Sequence, residues 1–251
     1  MSALLYSKEE GQGKTLLFLH GFCETHEIWN DFVKPLGSAF RIITIDLPGF
    51  GRSESLPTPF GIDDVGHAIG QWLIERQLTD AVVIGHSLGG YVSLSLLEYY
   101  PQQVGRLVLF HSTIFADTAE KKENRNKVID FVSRHGVEAY VDTFVPGLFF
   151  DPTAPAVGGV HQLAAGTKKS TLISYTLAMR DRPDRSSIWK NSDIPKLIIA
   201  GMEDKLIPLE TSQKMSKMAK NTHLLELKKT GHMGFFEAKT ESRQAIAGFA
   251  D

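Results

Sequence analysis

The sequence predicts an α/β fold: a mostly parallel central sheet flanked by helices, with a helical insertion past the middle of the chain. Three observations carry this expectation. Short apolar runs rich in branched residues recur along the 251 residues, as in strands buried on both faces. Stretches with helical spacing lie between these runs, which is the alternation that builds a parallel sheet. One long interval, from Ser112 to about Asp193, has no such run. Composition agrees, since 42% hydrophobic and 22% charged residues describe an ordinary globular chain and exclude disorder and membrane bundles.

Taken in order, the stretch Met1 to Glu10 turns charged before an apolar segment of signal-peptide length accumulates. No later run approaches the ~18 apolar residues of a membrane span, so a soluble, cytoplasmic protein is expected. The segment Gly11-Gln12-Gly13-Lys14-Thr15 ends like a phosphate-binding loop. However, Lys8 stands where its first glycine belongs, and a strand follows where a helix is required. Strands are expected at Leu16 to Leu19, Ile42 to Ile45, Ala81 to Ile84, Leu107 to Phe110 and Leu197 to Ala200, with another near Leu224 to Leu227. Helices are expected around Val65, Ile69, Trp72 and Leu73, and around Val92, Leu96 and Tyr99, where Pro101 stops the second. A helix through Met215 and a closing helix from about Phe235 complete the alternation.

Within the interval without strands, helix-like segments run over Val128 to Arg134, Val137 to Val145 and Leu172 to Met179. The domain reading is therefore a core of residues 1–111 and 194–251 with a helical cap over 112–193. The mixed run Glu120-Lys121-Lys122-Glu123-Asn124-Arg125 reads as a solvated helix face, because opposite charges three or four apart are neighbours on that surface. Arg180, Arg182 and Arg185, around Pro183, read as surface anchors for the last part of the cap.

Charge narrows the partners. Lys plus Arg total 27 against 29 for Asp plus Glu, and a net charge of -2 offers no field to gather nucleic acid or coat an anionic membrane. The single cysteine, Cys23, cannot form an intramolecular disulfide and reads as a small buried hydrophobe. There is no H-E-x-x-H and no dinucleotide glycine fingerprint, so neither a metal nor a nicotinamide cofactor is implied.

The chemistry concentrates at Gly85-His86-Ser87-Leu88-Gly89-Gly90, directly after one buried strand and directly before a helix. A serine at such a turn holds its hydroxyl above the sheet edge, and a β-carbon at the flanking glycines would collide with the neighbouring strand and helix. The helix that begins at Leu88 aims free amides and its positive dipole end at Ser87. A serine hydroxyl needs an imidazole to take its proton and a carboxylate to fix that imidazole. Of the nine histidines, His26, His67, His135 and His161 lie in helical or inserted segments. His223 opens a strand and so lies at the wrong end, and His86 points away from its neighbour Ser87. His232, between Gly231 and Met233-Gly234 after the last strand, is the best base. Asp204, in Gly201-Met202-Glu203-Asp204, follows a strand and lies between serine and histidine in chain order; Glu203 is the near alternative. Asp46 precedes the serine and reads as a brace for its turn. His20-Gly21-Phe22 follows the first buried strand, so the Phe22 amide can join that of Leu88 as a second oxyanion donor.

These features, with the turn Asp46 to Ser53, occur in matching order and resemble the α/β-hydrolase superfamily over nearly the whole chain. The resemblance implies Ser87 as nucleophile, His232 as general base, Asp204 as its orienting acid and the Phe22 and Leu88 amides as the oxyanion hole. Trp29 falls where many members carry a tryptophan after the oxyanion loop. The short N-terminus departs from the pattern, leaving room for one strand before Leu16 where larger members have two. Dehalogenases and epoxide hydrolases on this scaffold use an aspartate where Ser87 stands. Some lyases of menaquinone synthesis carry an arginine where this chain has Tyr91, which argues against a pocket for a multiply charged acid.

Phe144, Val145, Leu148, Phe149 and Phe150 are candidates to line an apolar route to Ser87, and His111, ending a strand, either contacts substrate or bonds the cap. The expected function is hydrolysis of small, largely apolar carboxylic esters through an acyl-enzyme. Enol-lactone, thioester and carbon-carbon bond hydrolysis, and a slow-turnover ligand receptor, stay open alongside it.

Overall fold

The computed structural model describes residues 4–251, so Met1 to Ala3, part of the stretch expected to turn charged too early for a signal peptide, lie outside it. Seven strands form one sheet: β1 (Ser7–Glu10), β2 (Thr15–Leu19), β3 (Arg41–Ile45), β4 (Ala81–His86), β5 (Val104–Phe110), β6 (Lys196–Gly201) and β7 (Thr222–Leu227). Their order across the sheet is β1-β3-β2-β4-β5-β6-β7. Every pairing is parallel except β1 on β3.

The apolar runs occupy the middle of this order. Leu16 to Leu19 and Ala81 to Ile84 are fully buried, at about 1.5–3 kcal/mol for each large side chain removed from water. β1, by contrast, carries Lys8, Glu9 and Glu10 on a half-exposed edge, a composition that discourages pairing with another chain. Gly11 to Thr15 is the turn from β1 into β2, as the sequence argued against a phosphate loop.

The helices are α1 (Asn30–Val33), α2 (Ile62–Glu75), α3 (Leu88–Tyr99), α4 (Ala119–Phe144), α5 (Ala156–Ala165), α6 (Lys169–Arg180), α7 (Ser186–Asn191), α8 (Leu209–Ser216), α9 (Gly234–Glu237) and α10 (Lys239–Ala250). α3 is buried from Leu88 to Leu97 and packs against α2. It ends at Tyr100 because Pro101 cannot continue it. Four helices, α4 to α7, fill the interval between β5 and β6, so the insertion is helical as read. α5 and α7 carried too little apolar periodicity to be expected. Among the described residues no helix is long and apolar enough to cross a membrane.

Register sets where function can lie. Leu19 pairs with Gly85, His86 with Phe110, Phe110 with Ile199, and Gly201 with Leu227. The carboxyl ends of β2, β4, β5, β6 and β7 therefore form one edge, and the segments leaving it begin at His20, Ser87, His111, Met202 and Lys228. That edge is where an open α/β sheet binds its ligands.

Candidate active site

Ser87 sits between β4 and α3 at φ 50°, ψ -111°, a conformation that costs a residue with a side chain. The surroundings hold it there. A β-carbon on Gly85 would stand 2.4 Å from the carbonyl oxygen of Gly89, and one on Gly89 would stand 2.2 Å from that of Leu19. The hydroxyl of Ser112 donates to the Ser87 carbonyl at 2.8 Å. Leu88 opens α3, and its amide, like that of Phe22, donates to no protein acceptor among the described residues.

His232 and Asp204 meet at the same edge. Nδ1–H of His232 donates to Oδ2 of Asp204 at 2.7 Å, and Oδ1 of Asp204 accepts from the amides of Leu206 and Ile207 at 2.9 and 3.0 Å. Burial works against the charge on Asp204, but the imidazoles of His232 and His111 outweigh it and hold the carboxyl well below the usual carboxylate range. Glu203 is exposed, whereas Asp204 is buried and holds the imidazole. With Nδ1 committed, Nε2 of His232 presents a lone pair. It is buried, has no hydrogen-bond partner, and belongs to a residue that lines the same cavity as Ser87. The arrangement can take a proton from an alcohol and hand it on.

His111 has neither of the two roles open to it from sequence. It is fully buried behind Asp204 and outside the cavity lining. The Gly234 amide donates to its Nε2 at 3.1 Å, so Nδ1 carries the hydrogen and donates to Oδ2 of Asp204 at 3.2 Å. The Gly201 amide also approaches Nδ1 at 3.2 Å, but a neutral ring cannot accept there while donating to the carboxylate. Burial, only partly offset by Asp204, pushes the His111 pKa down to about 4.

A second buried pair lies on the other side of His232. His86 donates from Nδ1 to Glu24 at 3.1 Å and from Nε2 to the carbonyl of His232 at 3.0 Å. Both ring nitrogens face acceptors, which calls for an imidazolium. Although burial opposes charge on either residue, each raises the charged form of the other, so His86 is shifted up and Glu24 down. Glu24 also accepts from the Gly21 amide at 2.7 Å, beside Phe22. Glu24 escaped the sequence reading, because its partner stands 62 positions away.

Other histidines and acids keep to bracing. Leu47 donates to His20, and Asp46 accepts from the amides of His26 and Arg52. Cys23 is buried. Trp29 is fully buried, its ring 4.7 Å from that of Phe235.

The cavity over Ser87 measures about 450 Å³. Its apolar wall includes Phe22, Tyr91, Val128, Tyr140, Phe144, Met179 and Ile207. Of the expected lining residues only Phe144 is present. Leu148 and Phe149 are buried beside the His232 loop, Leu148 giving its carbonyl to the His232 amide at 2.6 Å, and Phe150 faces outward. Periodicity cannot say which side of a short turn faces a cavity. The charged run is a solvated face as read, exposed from Glu120 to Asn124, and one side of it also borders the cavity: Lys121, Asn124 and Arg125 line it together with Lys205 and Asp117, so the entrance is mixed and not apolar. Arg182 and Arg185 are buried anchors, not surface ones, and the Arg182 guanidinium lies 4.1 Å over the Tyr91 ring. The insertion thus supplies cations near position 91, where their absence had argued against an acidic ligand.

His111, Asp204 and His232 also place one ligand-type atom each within 4.8 Å of one another. Their closest contact of 2.7 Å is a hydrogen bond, and it is shorter than the ~3.3 Å that ligands keep in a tetrahedral shell with bonds near ~2.05 Å.

The profile of the alpha/beta hydrolase family matches residues 16–247. The AB hydrolase superfamily protein YisY of Bacillus subtilis is 22% identical over 98% of this chain and 95% of its own length. The pimeloyl-[acyl-carrier protein] methyl ester esterase of Xylella fastidiosa is 24% identical over 98% of both. Among solved structures, a thermophilic esterase from Thermogutta terrifontis superposes with a TM-score of 0.92 at 25% identity, covering 98% of this chain and 93% of that one.

Proposed function

This chain belongs to the alpha/beta hydrolase family, and from that premise we propose that it hydrolyses small carboxylic esters through an acyl-enzyme on Ser87. The observation that carries the reading is the unpartnered, buried Nε2 of His232 on the wall it shares with Ser87, with Nδ1 tied to Asp204. In this mechanism Ser87 Oγ attacks the carbonyl carbon as Nε2 takes its proton, and the Phe22 and Leu88 amides receive the oxyanion. His232 then gives the proton to the departing alcohol. Water, deprotonated by the same nitrogen, cleaves the acyl-enzyme and restores the hydroxyl. Two relatives named as esterases support the reaction class. The helices between β5 and β6 act as a cap over the serine, and aromatic groups such as Phe22 and Phe144 receive the apolar part of the ester.

Hydrolysis of p-nitrophenyl esters of increasing chain length tests the proposal, with Ser87→Ala and His232→Ala as controls. Each variant is expected to lose at least ~10⁴-fold in kcat, as triad losses do in serine hydrolases. Near-parental turnover in either would defeat the assignment. A ligand receptor would instead show little turnover in the parent protein and keep its ligand in Ser87→Ala.

A further inference from the structure

We propose that the cavity over Ser87 takes esters that carry a carboxylate away from the scissile bond, with Arg125, Lys121 and Lys205 as the subsite for that carboxylate. The inference deepens the hydrolase reading and rests on it. It begins with α4, which bends at Gly136, where φ is 86° and ψ 178°. Before the bend, Lys121, Asn124, Arg125 and Val128 line the cavity; their spacing of three, four and seven puts them on one helix face. After the bend, Tyr140, Thr143 and Phe144 line it, again from one face. The Phe22 ring lies 6.5 Å from Tyr140 and 6.0 Å from Phe144, so the second half of α4 forms an aromatic end. The first half forms a cationic end. The two halves of α4 give the cavity two chemistries.

The charge there is not internally cancelled. Among the lining residues Lys121, Arg125 and Lys205 face a single acid, Asp117. That carboxylate is already engaged twice, by Nε of Arg125 at 2.6 Å and by Nη1 of Arg182 at 2.8 Å. Burial alone would raise the Asp117 pKa, but the two guanidinium groups outweigh it and hold it below the usual carboxylate range. Arg125 has committed only Nε. Its two terminal nitrogens make no hydrogen bond among the described residues, and they are the pair that grips a planar carboxylate. Lys205 has no ion pair among the described residues, and Lys121 reaches only the Leu206 carbonyl at 3.4 Å. Excess positive charge in a partly enclosed cavity with apolar walls concentrates an anionic substrate.

Two matched ester sets test this. One varies the acyl end: monomethyl adipate, methyl hexanoate and methyl 6-aminohexanoate. The other varies the alcohol: 5-carboxypentyl acetate and hexyl acetate. In at least one set the carboxylate ester is expected to exceed its neutral partner by tenfold or more in kcat/KM, chiefly through KM, with the ammonium ester poorest in the acyl set. That preference should fall at least fivefold in Arg125→Gln and in Lys205→Gln, and shrink as salt is added. Lys205 has no structural partner to lose, so its variant speaks even if Arg125→Gln folds poorly. Equal or better use of the neutral ester in both sets, or a preference that survives both substitutions, overturns the subsite and leaves the hydrolase reading standing. If the parent protein turns over neither set faster than Ser87→Ala, the hydrolase reading fails. Calorimetric titration of Ser87→Ala with monomethyl adipate against methyl hexanoate then decides the subsite: tighter binding of the carboxylate supports it, and equal affinity overturns it.

Discussion

Asp204 offers a single carboxylate oxygen, Oδ2, to two imidazoles, His232 at 2.7 Å and His111 at 3.2 Å. The rings differ in what lies beyond them. His232 turns a bare nitrogen to the cavity, while both nitrogens of His111 are consumed by Asp204 and the Gly234 amide. His111 therefore stays neutral in the folded protein down to about pH 4. Its pKa is depressed on folding, so the unfolded chain binds a proton in a window where the native state does not. Stability should then fall as pH drops from about 6.5 to about 4, by at most about 3 kcal/mol from this ring, with no contribution above that window. Urea unfolding from pH 7 to 4 should show a shallower loss for His111→Gln than for the parent; matching slopes would mean that the ring is not held neutral. Ser87, Asp204 and His232 were legible because each follows a strand, in an order that strand-end chemistry requires. Glu24 and the buried face of His86 were not, since a pairing made through space leaves no trace in local spacing.

At the scale of elements, α4 shows both what periodicity reveals and what it leaves out. Val128 to Arg134 and Val137 to Val145 read as separate helical segments, and the structure has two helical halves of α4 that meet at a kink at the non-helical Gly136. The charged run is solvated as read, but that it also borders a cavity mouth was not legible, because a polar face reads the same in both settings and only the sheet edge beneath it tells them apart. A β-carbon on Gly136 would meet nothing within 4 Å, so its substitution is a test of backbone strain alone. Gly136→Ala is expected to lose about 1–3 kcal/mol in urea unfolding, or to straighten α4 and raise KM by displacing Tyr140 and Phe144. Unchanged stability together with unchanged KM would show that the bend does not depend on this residue.

For the molecule as a whole, strand sequence and the place of the insertion were readable from apolar runs. How the insertion is fastened was not, because one anchor, Arg185, is a long cation whose partners lie in α2 and α3. Arg185 is 3% exposed and pairs with Asp63 and Glu98, while its amide donates to the Ile114 carbonyl at 2.8 Å. Arg185→Leu should cost about 1–3 kcal/mol and speed amide exchange in α5 to α7 while leaving β4 protected. Equal exchange in both regions would mean that the insertion is held elsewhere. The buried sequence of contacts from the Gly21 amide through Glu24 and His86 to the His232 carbonyl joins loops that follow the second and the last strand. The loop that carries His232 is thereby tied to the loop after β2 through two buried side chains, without any contact between the two loops' own backbones being needed. Shortening Glu24 to Asp would then be felt at the far end of the path, as a shift in the backbone that presents the His232 ring to the cavity.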